Sequence, residues 1–191
     1  MAGSKELSRL TPEEYLAFEE QSNVRHEYVA GWTFAMAGAG DRQILIVGNL
    51  FARLRAHLRG TICQVYQSGM KVLIEAANTF YYPDVFVTCE TVKANTYFKN
   101  QPCLIIEVLT PGTESTNRRE KLAAYFRLES LREYLLIDQD RQRIEFYRRG
   151  LEGRIQLQML GPGDRVQFES LPNGLLAMTV EEVYEDVVFD W

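Results

Sequence analysis

Two carboxylates in this sequence sit where a carboxylate is expensive. Cys103-Leu104-Ile105-Ile106-Glu107-Val108-Leu109 is a continuous apolar run, the signature of a central strand covered on both faces, and Glu107 interrupts it. Asp84 lies in Tyr81-Tyr82-Pro83-Asp84-Val85-Phe86-Val87, directly after a proline that removes a ladder donor and so starts or bulges a strand. A buried carboxylate must be paired, hydrogen-bonded, protonated or bound to a cation. Two of them on neighbouring strands can hold a hard cation such as Mg²⁺ and form a hydrolytic centre. The plainer alternative is that each pairs with an arginine. Zinc sites built on several His and Cys ligands are not expected, because His26 and His57 are the only histidines and Cys63, Cys89 and Cys103 form no C-x-x-C pair. The three cysteines read as reduced core thiols. Gly38-Ala39-Gly40 has no third glycine at position 43, and neither a Walker lysine nor a G-x-S-x-G elbow occurs.

The elements that must carry these acids follow from periodicity. Thr11-Pro12-Glu13-Glu14 opens a short helix with a threonine cap and proline at its first position. His26 to Ala30 and Thr33 to Ala37 form a hairpin turning at Gly31-Trp32. Ile44, Val47, Leu50, Phe51, Leu54 and Leu58 follow helical spacing, which predicts a helix from Asp41, its cap, to Arg59, with Gly60 as its stop. Ile62 to Tyr66, Met70 to Ile74, Phe80 to Thr88 and Cys103 to Leu109 read as strands. A helix over Ser115 to Leu128 precedes three further strands, Glu133 to Asp138, Arg143 to Arg148 and Arg154 to Leu160. The C-terminal stretch, with Val180, Val183, Tyr184 and Val187 apolar, reads as a short amphipathic helix. The fold class is therefore α/β of the mixed α+β kind, with one central mixed β-sheet flanked by helices. No linker or repeat divides the 191 residues, so the expectation is a single domain over 1–191, with 1–9 a flexible N-terminus.

Composition excludes several function classes. No apolar run approaches the ~20 residues of a membrane span, and the N-terminus lacks a signal-peptide stretch, so a cytoplasmic protein without membrane partners is expected. The net charge of -5 argues against binding nucleic acid by bulk electrostatics. The last eleven residues hold five acids and no base, however, which leaves the rest balanced at 21 basic and 21 acidic residues. Arginines cluster at 53–59, 118–119 and 141–149; such clusters are solvated faces unless they converge on one surface.

The order of the motifs carries a family resemblance. Pro83-Asp84, a spacer of 22 residues, then Glu107-Val108-Leu109 resembles the core of the PD-(D/E)XK nucleases. Arg25-His26-Glu27-Tyr28-Val29-Ala30-Gly31, Tyr82-Pro83-Asp84-Val85, Ile106-Glu107-Val108-Leu109-Thr110-Pro111-Gly112-Thr113, Lys121-Leu122-Ala123-Ala124-Tyr125 and Arg132-Glu133-Tyr134-Leu135-Leu136-Ile137-Asp138 stand in the order seen in the Uma-type restriction endonucleases, over roughly Leu10 to Val188. Each motif is weak alone; five in order are specific. The resemblance implies a restriction-endonuclease-like fold, with Asp84 and Glu107 as metal ligands and the Val108 carbonyl as a third. It also implies Glu27 as an early site acid, whose plain alternative is a solvated hairpin acid. Leu109 occupies the position of the usual catalytic lysine, on the same strand face as Glu107. Lys121 is the replacement implied, against the alternative of a surface lysine, with Tyr125 one turn further on. Gln43 and Asn117 stand where relatives carry a histidine and an aspartate.

The leading expectation is a Mg²⁺-dependent endonuclease hydrolysing DNA phosphodiester bonds, with Mn²⁺ as a possible substitute. Asp84, Glu107, Lys121 and Glu27 form its catalytic set. The competing expectation is a catalytically degenerate module of the same fold, acting in nucleic-acid binding or in oligomeric assembly. A homodimer is expected, its contact drawn from the aromatic-rich edges at Tyr97, Phe98, Tyr147, Phe189 and Trp191.

Overall fold

A computed structural model describes residues 9–90 and 95–189; the expected flexible segment 1–9 therefore falls outside the described residues except for Arg9. Thr11 closes a capping box with Glu14 at the start of α1 (Pro12–Gln21), as the Thr-Pro-Glu-Glu signal requires. β1 (His26–Val29) and β2 (Trp32–Ala35) form the hairpin, but its turn is Ala30-Gly31, both at positive φ. That pair suits a tight hairpin turn and shifts it one residue from the expected position. α2 (Asp41–His57) buries Ile46, Val47, Leu50 and Leu54, whereas Ile44 points outward and Gly40 rather than Asp41 is the N-cap.

β3 (Gln64–Gln67), β4 (Lys71–Ile74), β5 (Thr79–Tyr81), β6 (Val85–Thr88), β7 (Phe98–Lys99) and β8 (Pro102–Leu109) follow. The stretch expected as one strand from Phe80 to Thr88 is thus two, separated at Tyr82-Pro83-Asp84. The helical segment after β8 comprises α3 (Glu114–Thr116), a π-helical turn (Asn117–Lys121) and α4 (Leu122–Tyr125). β9 (Glu133–Asp138), β10 (Ile144–Arg149) and β11 (Ile155–Leu160) match the three expected strands closely. β12 (Arg165–Phe168) and β13 (Leu176–Thr179), a hairpin the sequence reading missed, lead into α5 (Val180–Val183).

The fold is mixed α/β, with mixed sheets flanked by helices. Its strands divide into a six-stranded sheet, β11-β10-β9-β8-β6-β3, a five-stranded sheet, β2-β1-β5-β4-β7, and the β12-β13 pair, rather than one central sheet. β8 is central in the larger sheet, parallel to β9 and antiparallel to β6. One face of that sheet packs Leu104, Ile106, Val108, Leu135 and Ile137 against α2 and α5. Its other face joins Ile105, Leu109 and Leu136 to Tyr125 of α4 and to Val72, Ile74 and Tyr81 of the smaller sheet. Both faces of β8 are covered, as its apolar run requires, and each fully buried aliphatic side chain contributes about 1.5–3 kcal/mol. Among the described residues no helix is long and apolar enough to cross a membrane.

Two expectations are corrected. Cys63 and Cys89 form a disulfide rather than standing as separate thiols, and only Cys103 is free. The antiparallel register Gln64↔Thr88 sets positions 63 and 89 opposite one another, a proximity that a separation of 26 residues conceals. The aromatic edges assigned to a dimer contact are mostly used internally. Phe98 packs on Phe80, the Tyr147 hydroxyl donates to Glu145, and Phe189 packs on Tyr184. Tyr97 alone of these is largely exposed, and Trp191 lies outside the described residues.

Candidate active site

The break at Tyr82-Pro83-Asp84 is where the chain crosses from the five-stranded sheet to the six-stranded one. Asp84 precedes the first β6–β8 pair, Val85↔Ile106, so it stands beside the part of β8 that β6 leaves uncovered. Its Oδ2 accepts the Val108 N–H at 2.7 Å, and its Oδ1 accepts from Gln43 Nε2 of α2 at 2.9 Å. In a strand the N–H and C=O of one residue point to the same side. The Leu109 carbonyl is taken by the Gln139 N–H on the β9 side. Alternation therefore turns the Val108 carbonyl toward Asp84.

Glu107 is 3% exposed, and its Oε1 accepts from the Tyr125 hydroxyl at 2.9 Å and from Lys121 Nζ at 3.2 Å. Lys121 Nζ also lies 2.7 Å from Glu27 Oε1, an ion pair without an aligned hydrogen bond, and 5.1 Å from the centre of the Tyr81 ring. The π-helical turn brings Lys121 and Tyr125 onto the same carboxylate; such turns are frequent at functional sites. Asn117 opens that turn, is buried, and has an Oδ1 with no partner among the described residues.

Burial pushes the Glu107 carboxyl up to about 7, against the opposing pull of Lys121. Asp84 is also raised by burial, with the Val108 N–H and Gln43 holding it down. Burial alone would lower the Lys121 ammonium, but Glu107 and Glu27 outweigh it and hold the charge in place.

These groups share one cavity of about 420 Å³, within the usual size range of ligand pockets. Its floor holds Glu27, Asp84, Glu107 and Lys121; Thr110, Thr113 and Asn117 line one wall, and Phe34 to Gly38 form the other. All four residues expected from the sequence are thus brought together, with Val108 beside them. Lys121 is buried, so the surface-lysine alternative fails, and Glu27 is an ion-pair partner rather than a solvated acid. Among the described residues neither Asp84 nor Glu107 pairs with an arginine. The arginine clusters do not converge here: Arg53 pairs with Glu182, Arg118 with Glu145, Arg148 with Glu133, and Arg149 caps the carbonyls of Phe126, Leu128 and Leu131. Leu109 packs in the apolar cluster with Tyr125, filling the space that a lysine there would take.

The donor set fits a hard cation sparingly. Among the described residues no group of three or more His, Cys, Asp or Glu side chains is arranged to hold a metal. Two carboxylates and one carbonyl match Mg²⁺, which keeps several waters and takes only one or two protein carboxylates beside substrate phosphate. Sequence reasoning missed Gln43 as the clamp on Asp84, having treated it only as a departure from a pattern. It also missed the Phe34 wall, for which the signal was the uncharged run Thr33 to Gly40 beside an acid-bearing strand.

Comparison with known proteins bears on this geometry. The protein shares 32% identity over 187 residues, 97% of each chain, with the uncharacterized protein slr1290 of Synechocystis sp. (strain ATCC 27184 / PCC 6803 / Kazusa). It shares 29% over 163 residues with sll1609 of the same organism, covering 83% of this chain and 92% of that one. A crystal structure of "a putative nuclease belonging to DUF820" from Anabaena variabilis ATCC 29413 superimposes with a TM-score of 0.78 over 94% of this chain and 99% of that one, at 15% identity, and so shares the fold. Residues 12–181 match the family model described as "Uma2: Putative restriction endonuclease", and the chain belongs to the Uma2 family.

Proposed function

We propose that the protein is a Mg²⁺-dependent endonuclease that hydrolyses DNA phosphodiester bonds, with Mn²⁺ able to substitute. The observation that carries this reading is the pair of carboxylates, half-buried Asp84 and buried Glu107, opening into one cavity with a buried lysine held against Glu107. Asp84, Glu107 and the Val108 carbonyl would hold the cation, which when bound supplies Lewis acidity and a more acidic water. The residues of the chain do the rest. Gln43 and the Val108 N–H fix the Asp84 carboxylate, and Tyr125 fixes Glu107. Lys121 offers a fixed positive charge to the phosphate in the transition state, and Glu27 keeps that ammonium charged and oriented. The test is cleavage of supercoiled plasmid and of circular single-stranded DNA with Mg²⁺ or Mn²⁺, beside calorimetric titration of Mn²⁺, for wild type, Asp84→Asn and Glu107→Gln. Cleavage and Mn²⁺ binding lost together in both folded variants support the reading; a variant that still cuts sinks it.

Two observations favour a second reading, a degenerate module that retains the fold: the usual lysine position is apolar Leu109, and Lys121 already neutralises Glu107. Wild-type protein that binds no Mn²⁺ would make that reading the better one. With DNA as the proposed substrate we infer a cytoplasmic location, a compartment where disulfides are the exception, and Cys63–Cys89 is the feature that argues against it. We also infer a two-fold dimer, formed through β11 instead of the aromatic edges. Ile155, Leu157 and Met159 are exposed on one face of this edge strand, which carries no charged residue.

A further inference from the structure

Glu27 and Phe34 are direct partners in the β1–β2 register, so their side chains stand next to each other on one face of the hairpin. Glu27 turns into the floor of the cavity and holds Lys121, while Phe34 is 55% exposed and forms its lip. An aromatic ring that open in the wall of a charged cavity does not serve the core; the hairpin's core contacts are Tyr28, on its opposite face, and Val29. The chain from Thr33 to Gly40 carries no charge, so the lip is an apolar surface that Ala35, Met36 and Ala37 extend. The cavity is divided by chemistry into an acid floor suited to a cation and phosphate and an apolar shelf beside it.

The charges around the cavity favour one strand over two. Among the described residues Glu27, Asp84, Glu107 and Glu120 line it against a single cation, Lys121, which two of those acids already engage. Duplex DNA carries about one negative charge per 1.7 Å of axis and is gripped by lysines and arginines on both backbones. Among the described residues Lys121 alone of those types lines this cavity, and Glu27 and Glu107 already engage it. A single strand asks less: one phosphate at the floor, and a neutral base face against an aromatic ring, the usual way unpaired bases are held.

Resting on the metal-site reading above, we propose that Phe34 is a base-stacking platform, and that the substrate is single-stranded DNA whose base beside the scissile phosphate lies on that ring. The platform touches substrate and sets strand preference; it takes no part in bond cleavage.

The test is fluorescence anisotropy with a labelled single strand of about 12 nucleotides and the duplex of the same sequence, in Ca²⁺ to hold phosphate with little turnover. Wild type, Phe34→Ala and Phe34→Trp are compared. Stacking by one base contributes about 1–3 kcal/mol by alanine substitution, so a loss of ~10-fold or more is expected for Phe34→Ala on the single strand. Tighter binding of the single strand than of the duplex, and restoration by Phe34→Trp, are also expected. A 2-aminopurine at the bound position should be quenched by wild type and Phe34→Trp but not by Phe34→Ala. Equal affinity for the two DNA forms, an unchanged Phe34→Ala, or no binding of either form overturns the proposal. Calorimetry with Mn²⁺ separates the two readings. Metal bound normally by wild type and Phe34→Ala, with strand binding indifferent to residue 34, sinks the platform and leaves the metal site standing. No metal binding, with strand preference still dependent on residue 34, sinks the metal site and leaves the platform.

Discussion

At the residue scale, the candidate site is a balance among Glu27, Glu107 and Lys121. Breaking a buried pair by removing one partner costs more than the pair contributes, because the remaining charge keeps its desolvation penalty. Lys121→Met would leave Glu107 buried and Glu27 half-buried without their counter-charge, so a stability loss on the order of 3–5 kcal/mol is expected in urea unfolding. The triple variant Glu27→Gln, Glu107→Gln, Lys121→Met should recover most of it. A Lys121→Met protein as stable as wild type would show that the lysine is not buried between them. Tyr125→Phe removes one donor from Glu107 while Lys121 stays, so about 1–2 kcal/mol and a partial loss of cleavage are expected; full loss would mean that the hydroxyl touches substrate. Asp84 and Glu107 were legible in the sequence because each interrupts an apolar run. The burial of Lys121 was not, since one lysine in a charged helical stretch looks like any surface lysine until the π-helical turn places it.

At the element scale, periodicity located α2 and β9–β11 because each has one alternating or helical apolar stripe with clear ends. It misjudged Phe80 to Thr88, where apolar residues continue across the change of sheet and only Pro83 marks the break. It missed β12 and β13, whose four-residue strands bury only Val166, Phe168 and Met178 among them. Cross-strand proximity was out of reach for the same reason, and Cys63–Cys89 is its consequence. A bridge closing that 26-residue separation stabilises by about 3.5 kcal/mol in the loop-entropy account. Urea unfolding with and without reductant should show that difference for wild type and none for Cys63→Ser with Cys89→Ser; an unresponsive wild type would mean that the bridge contributes nothing. Cys103, with its Sγ 4.0 Å from Cys89, is pushed up to about 11 by burial. A raised thiol pKa means that the folded state disfavours the thiolate, so this contribution to stability is full below about 9 and is lost as pH rises through about 11. Iodoacetamide should therefore label native Cys103 slowly at pH 8 and faster as pH approaches 11, while unfolded protein labels readily at pH 9. Rapid labelling of the native protein at pH 8 would contradict the burial.

At the scale of the whole molecule, one edge of the larger sheet is left open. β11 pairs with β10 on one side, and no strand among the described residues pairs on the other. Edge strands in soluble proteins are commonly blunted by lysine, proline or a bulge. Ile-Gln-Leu-Gln-Met-Leu has none of these, and its register with β10 runs unbroken from Ile155 to Leu160. Burying Ile155, Leu157 and Met159 against a second copy removes three apolar side chains from water in each protomer, and antiparallel addition of the same edge is self-complementary under a two-fold axis. Light scattering should give wild type a dimer mass. Leu157→Lys places a charge at the middle of the row and, on the two-fold, sets it near its own copy, so this variant should be monomeric with unchanged unfolding of the protomer. A dimer that survives Leu157→Lys would move the contact elsewhere on the surface, and a monomeric wild type would end the two-fold reading. Because β11 lies at the edge of the larger sheet and the cavity lies between β8 and the smaller one, the monomeric variant should keep its affinity for single-stranded DNA per protomer. A variant that loses both mass and affinity would show that the second copy completes the binding site.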